Sequence, residues 1–411
     1  MFFFCLFLSR TQQHDTTNTK ILGSPKRGIR NLFGGEHNMS KAQLSSQIVN
    51  TFSSILSKEK KNIVFLLFYE TYRSHLSVFL PIIPLLKKKY NLILATQQQK
   101  QDALEKSVHY AFTIPWRVQN QQGQYDFIDV HVDGIDLIIT PDQVSYNQGK
   151  VDRTFLSKTA KRLYLPHSLI EAVGATDTID YIAVPSKIAM EKYQKILKGK
   201  KVRLLEMGYP KFDESLKNYK TQKKPSNTIA YTPTLRYQQD FVHINKIGGV
   251  ESMLLEWLLN NTSHKIIYRA HPLCVQNQHT FYQILKVKFA QQKRIIFDED
   301  SSNTHINQAD VFLSDCSTSA FSFSLTTLKP SILFAPASLK FNNTIIQTAT
   351  QTQLIPVAKN LLELKIHLES LYKHDTQDSF KQFREDNIYH IANSLEVFCQ
   401  QIDSIIKGVS Q

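Results

Sequence analysis

Residues 310–325 read DVFLSDCSTSAFSFSL, and their order of apolar and polar positions sets the architecture. A short apolar strand, VFLSD, runs into the hydroxyl-rich turn CSTS and then into the helical stretch AFSFSL. A strand that passes through a tight polar turn straight into a helix is the repeating unit of an open parallel sheet. Outward from this unit the same rhythm holds. SILFAP (331–336) follows it, and RIIFDED (294–300), KIIYRAHP (265–272) and TIAYTP (228–233) precede it, with helices expected around 250–259 and 280–291.

Further upstream, residues 217–227 are polar, basic and proline-containing, which marks an interdomain linker. An earlier α/β series lies before it. NIVFLLF (62–68) reads as a buried strand, 75–86 as a helix, and NLILAT (91–96) as the next strand, a βαβ opening. IDLIIT, KRLYLP and DYIAVP continue the series, with a helix expected over 186–197. The fold class is therefore α/β and GT-B-like: two Rossmann-like, doubly wound domains facing a cleft. The bounds are 39–216 for the N-terminal domain, 217–227 for the linker and 228–411 for the C-terminal domain with its closing helices.

A chain of 411 residues agrees with two cores, since single cores stop growing at roughly 250–300 residues. The first 38 residues combine a seven-residue apolar run with a polar, glycine-scattered stretch, and are expected to be a disordered leader or an over-long start. MSKAQLSSQIVNTFSSIL (39–56) then puts Leu44, Ile48, Phe52 and Ile55 on one face of an amphipathic helix. Cys5, Cys274, Cys316 and Cys399 form no CxxC pair, so neither a zinc ribbon nor a disulfide framework is indicated. A formal charge of +14 suits nucleic acid, an anionic membrane surface or a phosphorylated substrate. Nucleic acid is set aside, because no zinc-ligand spacing, RNP-like motif or helix-turn-helix accompanies the charge.

Open parallel sheets bind ligands beyond the carboxyl ends of their strands, so residues just past the strands are the candidate site. Ser317, Thr318 and Ser319 offer hydroxyls where a helix N-terminus presents unpaired N–H groups, a geometry suited to phosphate. The competing reading is ordinary N-capping, for which Ser and Thr are also preferred. Arg269 and His271 end the strand KIIYRAHP, where a cation and an imidazole could grip a pyrophosphate. His167, in LPHS on the other domain, would face His271 across a closed cleft and could serve as a base. Taken alone, each histidine is more often an ordinary structural residue.

Taken in order, LPHS, DYIAVPS, EMGYPKFD, IAYTPTLR, IIYRAHP and ADVFLSDCSTSAFSFSLTTLKPSILFAP resemble the CDP-glycerol glycerophosphotransferase family of teichoic-acid and capsule synthesis. The resemblance spans about Tyr164 to Pro336. It implies a GT-B fold, a CDP-linked alditol-phosphate donor held by the C-terminal domain, an acceptor entering from the N-terminal one, and no metal or cofactor besides the donor substrate. By the same resemblance His167 is the candidate base and His271 contacts donor phosphates. Asp315, Ser317 and Thr318 match the family's DYSS turn, and Arg236 matches a segment where a phosphate contact is expected. Lys211, in the GYPRxD-like segment, is a further candidate phosphate contact, and Asp213 is expected to cap the helix that follows. Three positions depart from the pattern: Ser168 replaces a glycine, Cys316 a tyrosine and Ser322 an aspartate.

The implied activity is transfer of glycerol phosphate, or a related polyol phosphate, from a CDP-linked donor to a hydroxyl of a surface-glycan or lipid-linked precursor. The alternatives are a GT-B glycosyltransferase with a nucleotide-sugar donor and a non-catalytic glycan-binding relative. The expected location is cytoplasmic, peripheral on the inner face of the membrane, with the basic runs at 85–90 and 196–203 toward anionic lipid.

Overall fold

The apolar runs become strands, most of them with side chains covered on both faces as parallel strands flanked by helices require, while the edge strand at 295–297 leaves Ile296 exposed. The computed structural model describes residues 40–67, 77–96, 103–114, 117–119, 125–128, 130–141, 155–172, 179–219, 225–234, 249–276, 280–300, 303–336, 343–371 and 377–408. The expectations for residues 1–38 and for Arg236 fall outside these.

The first sheet is built from β1 (Asn62–Leu67), β2 (Asn91–Thr96), β3 (Tyr110–Thr113), β6 (Leu137–Thr140), β7 (Lys161–Tyr164), β8 (Tyr181–Val184) and β9 (Arg203–Glu206); β4 (Arg117–Gln119) and β5 (Tyr125–Phe127) form a separate antiparallel pair. Its strand order is β3-β2-β1-β6-β7-β8-β9, parallel throughout. The order reverses between β1 and β6, which is the signature of a doubly wound sheet. Helix α1 (Lys41–Ile55) opens on a capping box between Ser40 and Gln43, and buries Leu44, Ile48 and Phe52 against this sheet. Where one helix was expected over 75–86, the described residues show a helical turn at 77–79 and then α2 (Ile83–Lys89). Pro81 and Pro84 explain the break, because proline lacks an N–H and fits only a helix's first turn, where Pro84 sits. Short helix α3 (Ala103–Ser107) leads to β3, and α4 (Lys187–Ile196) is capped by the Ser186 hydroxyl.

The second sheet comprises β10 (Thr228–Tyr231), β11 (Lys265–Tyr268), β12 (Ile295–Phe297), β13 (Val311–Ser314), β14 (Ser331–Phe334) and β15 (Val357–Ala358), in the order β12-β11-β10-β13-β14-β15 and again parallel. Counted within the domain this is the 3-2-1-4-5-6 order of dinucleotide-binding folds, with the switch point between β10 and β13. Its helices are α6 (Gly249–Asn261), α7 (Pro272–Gln276), α8 (Thr280–Lys288), α9 (Ser319–Thr327), α10 (Asn343–Thr352) and α11 (Leu361–Ser370), α5 (Pro210–Asn218) belonging to the first domain.

Helices α12 (Gln377–Asn387) and α13 (Ser394–Lys407) close the chain, and α13 packs on α5, back against the first domain. Lys89 pairs with Asp403 at 2.7 Å, and the hydroxyl of Tyr90 bonds the same carboxylate. One continuous core joins the domains, with Met207 and Phe212 beside Phe321 and Leu325 of α9 and Phe398 and Ile402 of α13. Across the same junction Lys192 of α4 bonds the Thr348 hydroxyl of α10 at 2.8 Å while paired with Glu171.

Candidate active site

The carboxyl ends of β7 and β9 in one domain, and of β10, β11 and β13 in the other, bring their following residues together. At the second domain's switch point, Asp315 is only 3% exposed. Its carboxylate accepts the backbone N–H of Thr234 at 3.0 Å, the Thr234 hydroxyl at 2.9 Å and the N–H of Cys316 at 2.6 Å. Both oxygens are thus committed to stapling the turn after β13 to the loop after β10. The staple sets the height and direction of the Cys316–Ser319 turn.

In that turn Ser317 is half-buried and its hydroxyl accepts the N–H of Ser319 at 3.2 Å, a bond two residues on that closes the turn rather than an N-cap. Thr318 occupies the N-cap position of α9 yet makes no side-chain cap bond, and Ser319 is exposed at the first helical position. The far end of α9 is closed by Leu328 in the left-handed region (φ 58°), and the Arg384 guanidinium donates to the Leu325 carbonyl at 2.9 Å. Close to Asp315 and Thr234, the Thr232 hydroxyl is buried with no hydrogen-bond partner among the described residues.

Arg269 follows β11 and donates to the buried carboxylate of Asp298 through Nε at 3.1 Å and through a second guanidinium nitrogen, with a further bond to Asn303 at 3.2 Å. The fork-to-carboxylate pairing fixes the guanidinium plane, and its positive charge is held at the cleft rather than swung freely. Behind it, Tyr231, Tyr268, Tyr282 and Phe297 make a run of ring contacts at 5.5–6.4 Å that backs the strand ends. Sequence reasoning missed Asp298, Asn303 and Thr234. Asp298 stands one residue beyond β12, where the same strand-end rule that singled out Arg269 would have found it.

His167 and His271 approach from opposite domains, close enough that the charge of His271 disfavours the charged form of His167. Burial holds the His167 imidazole down to about 4, with Lys211 and then His271 adding to the effect. Its surface still opens to solvent. The combination describes a ring that water reaches but whose packed and positively charged neighbours disfavour its charged form. His271 is half-buried and is also held below the usual histidine range by burial, with Asp315 opposing. Lys211, on the first turn of α5, is lowered to about 8 by burial and then by the charge of Arg269, against which Glu214 acts. Ser168 is buried and accepts the Glu171 N–H at 3.1 Å, organising the turn behind His167.

Asp213 does not cap α5. Its carboxylate accepts the N–H groups of Ala392 and Ser394, each at 2.8 Å, and the Ser394 hydroxyl at 2.5 Å, which caps α13 instead. The start of α5 is made by Pro210, whose missing N–H costs nothing at a first helical position.

Among solved structures the chain is similar to the wall teichoic acid polymerase TagF, at 14% identity over 90% of this chain and 93% of that one, with a TM-score of 0.53. It is also similar to a putative UDP-N-acetylglucosamine 2-epimerase from Listeria monocytogenes (10% identity, 85% and 98% covered, TM-score 0.52) and to the UDP-GlcNAc 2-epimerase of Methanocaldococcus jannaschii (12%, 83% and 99%, 0.52). No curated protein sequence matches the chain. Two doubly wound domains closing on a cluster of basic and hydroxyl residues place the protein in the GT-B class. Within that class the sequence is decisive: the model of the CDP-Glycerol:Poly(glycerophosphate) glycerophosphotransferase family matches residues 150–390, more than half the chain, and the protein belongs to that family. It is accordingly a transferase.

Proposed function

We propose that the cleft transfers glycerol phosphate, or a related polyol phosphate, from a CDP-linked donor to a hydroxyl of a glycan or lipid-linked acceptor. The observation that carries the residue roles is the meeting of His167 and Lys211 from one domain with Arg269 and His271 from the other. In this reading the neutral His167 imidazole takes the proton of the acceptor hydroxyl. The freed oxygen forms a bond to the phosphorus nearest the glycerol, and the phosphorus–oxygen bond to the nucleoside monophosphate breaks. CMP leaves with that electron pair. His271, Lys211 and the start of α9 face the charge that develops on the phosphate oxygens, the kind of preorganised stabilisation on which phosphoryl transfer depends. Arg269, fixed by Asp298, adds standing positive potential. Asp315 holds the Ser317–Ser319 turn at the height where its hydroxyls and N–H groups meet the donor.

The reading calls on no metal or other cofactor. The acceptor enters from the first domain, and the exposed basic run at 196–203 suits docking at an anionic membrane from the cytoplasmic side. Among the described residues no helix is long and apolar enough to cross a membrane.

The test is calorimetric titration of the protein with CDP-glycerol, CDP-ribitol, CMP and a panel of UDP- and GDP-sugars. Selective binding of a CDP-alditol, lost in His271→Ala without a change in melting temperature, is expected. Selective binding of a nucleotide sugar would replace this reading with a glycosyltransferase, and no binding at all would replace it with a non-catalytic one.

A further inference from the structure

Lys211 reaches the cleft from the first turn of a helix whose own N-cap residue, Tyr209, makes no side-chain cap bond. What holds that turn in place comes from the other end of the chain. Asp213, two residues on, binds Ala392 and Ser394 through three hydrogen bonds of 2.5–2.8 Å. The segment it grips is under constraint. His390 (φ 51°) and Ala392 (φ 64°) lie in the left-handed region, which residues other than glycine enter at a cost and keep only when their surroundings fix them. The strap is pinned on its other side too, Ile388 pairing with Ser186 and Tyr389 donating its N–H to the Pro185 carbonyl at 3.1 Å. It presses so closely on the turn before α5 that a Cβ on Gly208 would lie 2.5 Å from the Tyr389 carbonyl oxygen and 2.6 Å from the Ser394 Cβ.

We propose that Asp213 is a positioning residue, clamping the start of α5 to the returning strap 388–394 so that the Lys211 ammonium stays in the cleft for a phosphate-bearing substrate. The choice of ligand rests on the functional reading above; the placement of Lys211 does not. Three charged groups face the ammonium: Arg269 from the end of β11, Glu214 on its own helix, and the His167 imidazole when protonated. Released from the clamp, the amine gains access to solvent and loses its enforced closeness to Arg269.

Two readouts separate the placement from the ligand. Lysines of the full chain are 13C-dimethylated, the Lys211 signal is identified by its loss in Lys211→Arg, and its titration is followed by NMR. The wild-type midpoint is expected at about 8. In Asp213→Ala it is expected to move up by about one pH unit or more, and in Ser394→Ala, which removes one of the three bonds and leaves the two backbone N–H groups in place, to move less in the same direction. CDP-glycerol affinity is expected to fall about tenfold in Asp213→Ala and in Lys211→Met, the loss of one charge-assisted contact, with the double variant no weaker than Lys211→Met. An unmoved midpoint together with a lowered Tm would make Asp213 a plain helix cap and overturn the proposal, as would additive losses in the double variant. Should Asp213→Ala not fold, the smaller rise expected in Ser394→Ala decides, and no rise there overturns the proposal. If the midpoint moves but wild-type protein binds no CDP-glycerol, the placement stands and the functional reading falls.

Discussion

His167 and Lys211 set opposite limits on the pH range of the proposed reaction. A base must be neutral and a phosphate-holding amine charged. His167 is neutral above about 4 and Lys211 charged below about 8, so kcat/KM should form a bell bounded by those values. Side chains with ordinary solution behaviour would place the limits near 6.5 and 10.4 instead, and a pH–rate profile distinguishes the two outcomes. Replacing His167 with Gln should lower turnover by about 10²-fold or more while leaving CDP-glycerol affinity near wild type. Stability carries the same sign. A histidine whose folded pKa lies below its unfolded one contributes nothing unfavourable above about pH 6.5 and costs stability as pH falls from there toward 4. His167→Gln should therefore flatten the decline in Tm across that interval.

Elements turn such residues toward one another, and they differ in how plainly the sequence announces them. Gly208 is the clearest link between a turn and its packing. Its φ is +69°, and the strap behind it leaves no room for a Cβ, so Gly208→Ala should cost about 2 kcal/mol or more, read as a lowered midpoint in urea unfolding. Arg269 and Asp298 join neighbouring strand ends in a buried pair. Asp298→Ala strands the guanidinium and should cost about 3–5 kcal/mol by the same measurement. The strands themselves were legible because each is a short apolar run bounded by turn residues, and VFLS or NLILAT admits few other readings. His167, His271 and the CSTS turn were legible as strand-end residues. What stayed hidden is pairing at long range. Nothing local to Asp213 tells that its partners lie near residue 394, and nothing local to Asp315 tells that its oxygens face Thr234. Both are polar residues near helix starts, and the sequence shows the helix nearest by, not the one reached through space.

At the scale of the whole molecule, the two basic runs differ in what surrounds them, and the returning helix α13 ties down the first. In the run at 85–90, Lys87 donates to the carbonyls of Ser107 and Val108 at 2.6 and 3.0 Å, and Lys89 is paired with Asp403 of α13. Two of its three lysines thus serve the fold. The run at 196–203 is different: Lys198, Lys200, Lys201 and Arg203 are exposed around the turn between α4 and the edge strand β9, with the apolar Ile196, 57% exposed, beside them. A cluster of cations with an adjacent apolar side chain is the composition that peripheral attachment to an anionic surface calls for, each cation adding about 1 kcal/mol. Reversing Lys198, Lys200 and Lys201 to Glu should therefore reduce partitioning onto phosphatidylserine-containing vesicles by about a hundredfold or more. Replacing Lys88 alone should change it little. Cosedimentation with vesicles at two ionic strengths measures both. Attachment through this run must weaken as salt shortens the Debye length from about 10 Å toward 3 Å, whereas binding that ignores salt, or that is equal on neutral vesicles, would assign the charge to the substrate alone.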